Sequence, residues 1–379
     1  MPFGINLTLL IGATVPKPAS RELMEALHSV EVKHTDEGRA GFQIVFQAGR
    51  AGRRDLQDYK IAKNPLLQVF NRVILVVRMG AAAEVLMDGI ITNQQLSPHP
   101  EPGKSTYTIT GEDVSVMMDL EEESTEHQAQ DEATIARLII AKYAKYGLVP
   151  QIVDPAGFRD RPTPNERIPT QQETDLQYLQ TLAQRFAHVF YIIPGPTAGA
   201  NVAYWGPPQR KSRPQKALTV NMGSFTNVTS VNFQNNALAA AGVTGSVQDR
   251  KTNNIRPVQE SRTDRPLLAR QSALTSQRHK RVRQFRETGR DVARADARAQ
   301  AMTDRSVDDV VTVSGELETV RYGGLLRLRG LVGLRGVGNS YDGHYYVKNV
   351  THTLGPGQYK QSFTITREGL GSTVRRVAV

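Results

Sequence analysis

The sequence predicts an α+β, mainly β protein. It should hold two similar antiparallel β-barrels, a small α/β domain inserted between them, and a basic helical connector. Three observations carry this. Short alternating runs punctuated by turn residues fill both ends of the chain. Helical periodicity is concentrated in one internal stretch. Two hairpins, far apart in sequence, share one pattern.

Residues 1–123 read as the first barrel. Val30 to Val32, a polar turn at Thr35 to Gly38, and alternating Phe42 to Phe46 make a hairpin signal. Val73 to Val77 is a β-branched run, and Glu84 to Thr92 gives a further strand. A Pro/Gly loop from Ser97 to Gly103 precedes the clear alternation of Ser105 to Thr110. Residues 124–206 change period. Ile135, Leu138, Ile139, Tyr143 and Tyr146 fall on one helix face, and Gly147 stands where a helix stops. Thr174 with Gln177 three residues on has capping-box spacing, followed by a stripe of Leu176, Leu179, Leu182, Ala183 and Phe186. Strand-like Val189 to Ile193 follows, and a Pro-rich loop, Asp154 to Pro169, lies between the helices.

Residues 207–265 read as a basic Pro-rich linker, returning strands at Leu218 to Val220 and Asn227 to Phe233, and an extended crossing segment over 237–265. Residues 266–305 read as the helical connector. Residues 306–379 resume as strands of the second barrel, from Val310 to about Arg367, with a basic tail.

The hairpins supply the repeat. Val85 to Thr92, a Pro/Gly loop and Lys104 to Glu112 match His344 to Thr351, a Gly/Pro loop and Lys360 to Glu368. Tyr107 to Thr110 aligns with Phe363 to Thr366. The shared alternation places Tyr107, Ile109, Phe363 and Ile365 on equivalent faces. One chain would then carry two copies of one module. Three chains in a ring would present six, which matches a threefold part to a sixfold one.

Composition narrows the chemistry. The 379 residues contain no cysteine, which excludes disulfides, thiolate metal sites and Cys nucleophiles. No apolar run reaches the ~20 residues of a membrane span, and the N-terminus lacks the basic region and cleavage site of a signal peptide. The net charge is +10. Between Arg270 and Arg305 ten Lys or Arg stand against four Asp or Glu, so the excess is concentrated there. Glu287 with Arg283 and Arg290, and Asp291 with Arg294, are spaced as helical ion pairs. The glycines at 330, 333, 336 and 338 lack a phosphate-loop Lys, and Gly338 to Asp342 misses a nucleophile elbow. Asp249 to Glu260 fails as a calcium loop, with Lys251, Asn254 and Pro257 in the wrong places. The eight histidines form no metal motif, and no carboxylate pair is assignable to acid–base work. Catalytic, cofactor and metal residues are therefore none. The basic segment has a single aromatic, Phe285, too few for base stacking.

Several segments together resemble a known family. Glu173 to Ala187, followed by a Phe190-Tyr191 strand, resembles the marker helix of phage late control D proteins, the hubs of contractile tail baseplates. The same helix marks the N-terminal half of type VI secretion spike proteins. Asn227 to Phe233, Tyr322 to Gly330 and Gly343 to Thr353 are also similar, in the same order. Leu176 replaces the usual Trp. The resemblance implies tail-tube-like barrels and a homotrimeric structural hub that adapts a hexameric inner tube to a trimeric spike and meets baseplate wedge proteins. It implies assembly in a bacterial cytoplasm into a tail or injection particle. The sequence ends after the second barrel, so the spike is expected on a separate polypeptide. Candidate interface residues are Pro98, Pro100, Lys104, Tyr107 and Ile109 on the first hairpin, Arg281 and Arg286 in the basic segment, and Tyr345, Tyr346, Phe363 and Ile365 on the second. A cell-wall enzyme, or nucleic-acid binding through 270–305, are the alternatives.

Overall fold

A computed structural model describes residues 4–13, 15–49, 58–101, 103–155, 168–249, 252–286 and 292–374. The first half contributes β1 (Ile5–Gly12), the two-residue β2 (Lys17–Pro18), a short helix α1 (Arg21–Glu25), β3 (Leu27–Thr35), β4 (Gly41–Gln47), β5 (Arg72–Met79), β6 (Ala82–Ser97) and β7 (Thr106–Asp113). Alternation is clearest in β7, where every second residue is buried, whereas β5 and β6 carry continuous buried runs.

The inserted segment holds β8 (Glu122–Glu126), α2 (Glu132–Ala141), β9 (Leu148–Ile152), β10 (Thr170–Thr174), α3 (Asp175–Gln184), β11 (Val189–Pro194) and β12 (Asn201–Gly206). The Thr174 hydroxyl accepts from the Gln177 N–H and starts α3. Gly147 closes the turn after α2 with φ of 74°. Leu176 is buried, and Trp205 fills the same core, its indole N–H on the Leu179 carbonyl at 3.2 Å. Leu138 departs from the expected stripe and is half exposed.

The rest of the chain gives β13 (Gln215–Thr219), β14 (Val228–Asn235), β15 (Ala241–Gln248), β16 (Ile255–Glu260), β17 (Ala269–Ser272), α4 (Ala273–Ser276), β18 (Arg281–Phe285), α5 (Val292–Ser306), β19 (Val311–Glu318), α6 (Thr319–Tyr322), β20 (Leu331–Arg335), β21 (Gly343–Gly355), β22 (Gln358–Arg367) and β23 (Gly369–Ser372). Two expectations are corrected here. The segment 237–265 is not a plain crossing but the hairpin β15–β16. The connector 266–305 is not helical throughout, because β18 lies parallel to β15 in the same small sheet. Only α5 is a long helix, packed on that sheet through Ala295 and Ala299 against Val243, Val247, Val258 and Phe285. Glu287, Arg290 and Asp291, and with them the proposed helical ion pairs, lie outside the described residues.

The duplication is visible in the topology. The first half runs β1-β5-β6-β7-β4-β3 across the sheet, and the second runs β13-β20-β21-β22-β19-β14. Numbered by position within each half, both read 1-4-5-6-3-2. Each half has a bulge in its fifth strand, between Ile91 and Asn93 and between Val347 and Asn349. Each has another in its second strand, between Leu27 and Ser29 and between Val228 and Ser230. Before each fifth-strand bulge sits a non-glycine residue with positive φ, Phe70 at 65° and Arg329 at 62°. Phe70 donates to the Ile91 carbonyl as Arg329 donates to that of Val347. A bulky residue in this region is uncommon, so its recurrence at one place marks one module used twice.

The bulges also correct the sequence alignment. Ile109 pairs with Gln94, one residue beyond the bulge pair, and Phe363 pairs with Val350 at the same place. Ile109 therefore stands level with Phe363, not Ile365, a slip of two residues. The halves differ in one direction: β1 runs antiparallel to β5, whereas β13 runs parallel to β20.

Each half wraps round its own core, to which all six of its strands contribute. Among the described residues no ladder closes β1 onto β3, or β13 onto β14. The two halves instead join edge to edge through β3 and β21 into one 13-stranded sheet.

The inserted segment is hydrogen-bonded to a buried ion pair within the first half. Arg72 Nε and Nη2 each reach an Asp88 oxygen at 2.7 Å. The same Nη2 donates to the carbonyls of Tyr146 and Gly199, and Asn201 donates to Asp88. Removing one member leaves a buried charge unpaired, which costs about 3–5 kcal/mol. Arg72→Met should lower unfolding stability by that order in urea titration, and adding Asp88→Leu should recover part of the loss. An additive further loss in the double variant would contradict the coupling.

Candidate assembly interface

The candidate residues separate cleanly by exposure. Pro98, Pro100 and Lys104 lie exposed on the loop joining β6 to β7, where Lys104 pairs with Glu101. The loop joining β21 to β22 occupies the same corner of the second half. Tyr107 and Ile109 are buried in the first core, and Phe363, Ile365 and Tyr345 in the second. Tyr346 is buried against Leu268 and Leu331. These six are corrected from interface residues to core residues. The face marked by all but Tyr346 points inward, because the sheet wraps round its core, and Tyr346 is covered on the other face of β21 by Leu268. Tyr345 donates to the Tyr341 carbonyl at 2.6 Å and stacks under the Arg367 guanidinium at 4.4 Å.

Arg281 is exposed on β18 and Arg286 just beyond it. With Arg278, Lys280 and Arg283 they make a basic edge, since β18 is the outer strand of its sheet. Charged side chains on such an edge discourage unwanted strand pairing. The arrangement also fits an acidic neighbour.

The junction between the halves carries the most perturbed groups. Six residues of β3 face six of β21, from Val30 opposite Leu354 to Thr35 opposite Asn349. His34 and His352 meet edge to face, 5.5 Å between ring centres, and the Tyr359 hydroxyl lies 3.0 Å from His352 Nδ1. Burial, with the Arg329 charge as a second cause, lowers the pKa of His34 to about 4. Burial drives His352 well below its ordinary value. Arg329 is itself buried, 3.4 Å over the Tyr191 ring of the inserted segment, and donates to the Thr35 carbonyl. Beside it Asp36 is buried, and Oδ1 finds no partner among the described residues. Desolvation raises its pKa to about 7, although Lys348 and Arg329 pull the other way. Arg210 and Arg265 share Asp308 at the same junction. First half, second half and inserted segment therefore meet at one charged knot.

Two further edges were not legible as sites from the sequence. The outer edge of β14 is unpaired among the described residues, and so is β6 from Asn93 to Ser97 on the side away from β7. Near them Val69, Phe70 and Leu238 are exposed apolar side chains. The available signal was weak: two Asn/Gln-rich segments, 93–97 and 232–236, each with one apolar residue, Leu96 and Phe233.

Among the described residues no group of three or more His, Asp or Glu is placed to hold a metal ion, and no helix is long and apolar enough to cross a membrane. No protein-family model matches the sequence, and no curated protein matches it. Solved structures do. The tail protein from Neisseria meningitidis MC58 superposes with a TM-score of 0.66 at 12% identity, over 97% of this chain and 98% of that one. The 43 kDa tail protein of prophage MuSo2 from Shewanella oneidensis gives 0.61 at 13%, over 96% and 99%. An E. coli component of the type VI secretion system gives 0.54 at 12%, over 93% and 78%. The chain has the fold that these phage tail and secretion-system proteins share.

The sign of the Asp36 shift gives a test. An acid whose folded pKa is raised binds its proton more tightly folded than unfolded, so stability falls as pH rises from about 4 to about 7. His34, with a lowered pKa, acts in the opposite sense over about 4 to 6.5. Asp36→Asn isolates the first. It should be more stable than the parent by about 1–3 kcal/mol at pH 8, with the difference shrinking as pH falls and vanishing near pH 4. A pH-independent difference in thermal unfolding would contradict the buried-acid assignment.

Proposed function

We propose that the chain is a structural hub of a phage tail or contractile injection baseplate. It works as a homotrimer that adapts a hexameric inner tube to a trimeric spike. The observation that carries this reading is the duplicated module. Two halves with one strand order, the same bulges and the same strained turn stand side by side in one sheet. Three copies present six similar modules to a sixfold partner while keeping a threefold axis for the spike. The fold shared with tail and secretion-system proteins supports the same reading.

The work is geometric and mechanical. Thrust passing from tube to spike must cross the chain without deforming it. A continuous sheet, an inserted segment hydrogen-bonded to a buried ion pair and a charged knot at the junction suit that task. The exposed hairpin loops, with Pro98, Pro100 and Lys104 on one and Gly355 to Gln358 at the equivalent corner, are the proposed tube-facing elements. The basic edge with Arg281 and Arg286 is proposed to meet an acidic baseplate neighbour.

Native mass measurement on the purified chain, alone and with the tube and spike proteins of its own locus, tests the reading. Three 41.9 kDa chains in one particle that binds both partners is the expected result. A monomer that binds neither would contradict it.

A further inference from the structure

We infer that the free edge of β14 pairs with the free edge of β6 on a second copy of this chain, in a register that the chain's own internal junction specifies. The pairing rests on the duplication. The count of three copies rests on the hub reading above.

In each half the second strand has an edge facing away from its module, and the fifth strand has an edge left free once its bulge carries it past the fourth. Within the chain, one such pair is satisfied: β3, second in the first half, lies on β21, fifth in the second half. The complementary pair, β14 and β6, is left open among the described residues. Aligning the bulges places β21 residue 349 on β6 residue 93, and β3 residue 35 on residue 236 at the end of β14. The internal pairs then translate directly. Asn349 opposite Thr35 becomes Asn93 opposite Asn236, and Thr351 opposite Lys33 becomes Gln95 opposite Gln234. His352 opposite Val32 becomes Leu96 opposite Phe233.

Burial agrees with this register. Val30 and Val32 on β3 are almost fully buried, in a core that includes Leu354 and Tyr359 from the other half. Their equivalents on β14, Val231 and Phe233, are only half buried. They lack the cover that a neighbouring module gives. Leu96, the residue placed opposite Phe233, is likewise half buried. Phe70, the equivalent of Arg329, is 56% exposed, whereas Arg329 is buried at the internal junction. The next bond of the internal ladder, from the Asp36 N–H to the Lys348 carbonyl, also translates, to Ala237 N–H and the Thr92 carbonyl. The contact is heterologous, joining different edges of identical chains, so it generates a ring when its rotation closes. Repeating the internal step is what lets each module see the same neighbours.

The absence of cysteine makes the test direct. Gln95→Cys with Gln234→Cys puts two exposed thiols opposite each other, at a Cβ separation of about 4.5–5.5 Å across the strands. Lys33→Cys with Thr351→Cys is the internal equivalent and should link within one chain. Gln95→Cys with Asn232→Cys is slipped by two residues, beyond the reach of a disulfide. On mild oxidation the first variant should give reductant-sensitive multimers on a denaturing gel, and the slipped variant should remain monomeric. Mixing the two single variants should give a covalent dimer and nothing larger, and the singles report that each substitution still folds. If Gln95→Cys/Gln234→Cys stays monomeric, or links no better than the slipped pair, the seam is wrong. A linked ring of some number other than three would leave the seam standing and contradict the hub stoichiometry. An unlinked variant that still forms trimers on tube and spike would contradict the seam alone.

Discussion

The edge of a β-sheet is a row of unpaired N–H and C=O groups, and the way this chain satisfies its edges governs the rest of its architecture. A six-stranded module that wraps without closing by hydrogen bonds has edges to dispose of. At the start of the large sheet the two-residue β2 blunts β1. In the middle, β3 lies on β21 and fuses two modules into one sheet. Fusion sets the distance and rotation between modules by backbone geometry, which is stiffer than side-chain packing across a domain interface. Any higher assembly inherits that step.

The side chains at the fusion harden it at a cost. His34 and His352 are held neutral by burial, Asp36 is held partly protonated, and Arg329 sits desolvated on Tyr191. Buried charges of this kind are weak sources of net stability, because desolvation offsets much of their mutual attraction, but removing one partner leaves the other buried and unpaired. They lie where both halves and the inserted segment converge. The Arg72–Asp88 pair is of the same kind on the opposite flank, binding the inserted segment through two backbone carbonyls as well as the carboxylate.

Much of this was legible in the sequence, for reasons that differ by element. Thr174 with Gln177, and Gly147, are local signals with a local cause, and the caps stand where they place them. The hairpin from Val30 to Phe46 and the strand through Val73 to Val77 follow from alternation and β-branching. The repeat was detectable, but its register was not. A Thr-Ile-Thr alternation keeps its face when slipped by two residues, and the bulges that fix the true register leave no mark in composition. The strand β18 was hidden because four of its five residues are exposed and only Phe285 is buried, so it carries no apolar alternation. Tyr107, Ile109, Phe363 and Ile365 were correctly placed on one face of each strand. Alternation alone does not say whether that face meets a partner or the chain's own core. The edge residues of β6 and β14 carry almost no signal, since backbone groups make an edge and the sequence writes only side chains.

Electron cryomicroscopy of the assembled particle, viewed along its axis, measures the central claim most directly. The account expects a threefold ring of six like lobes, in which every second boundary lies within a chain and the others between chains, all at one strand spacing. A density in which the two halves of a chain stand at different radii, or do not encircle a common axis, would contradict it.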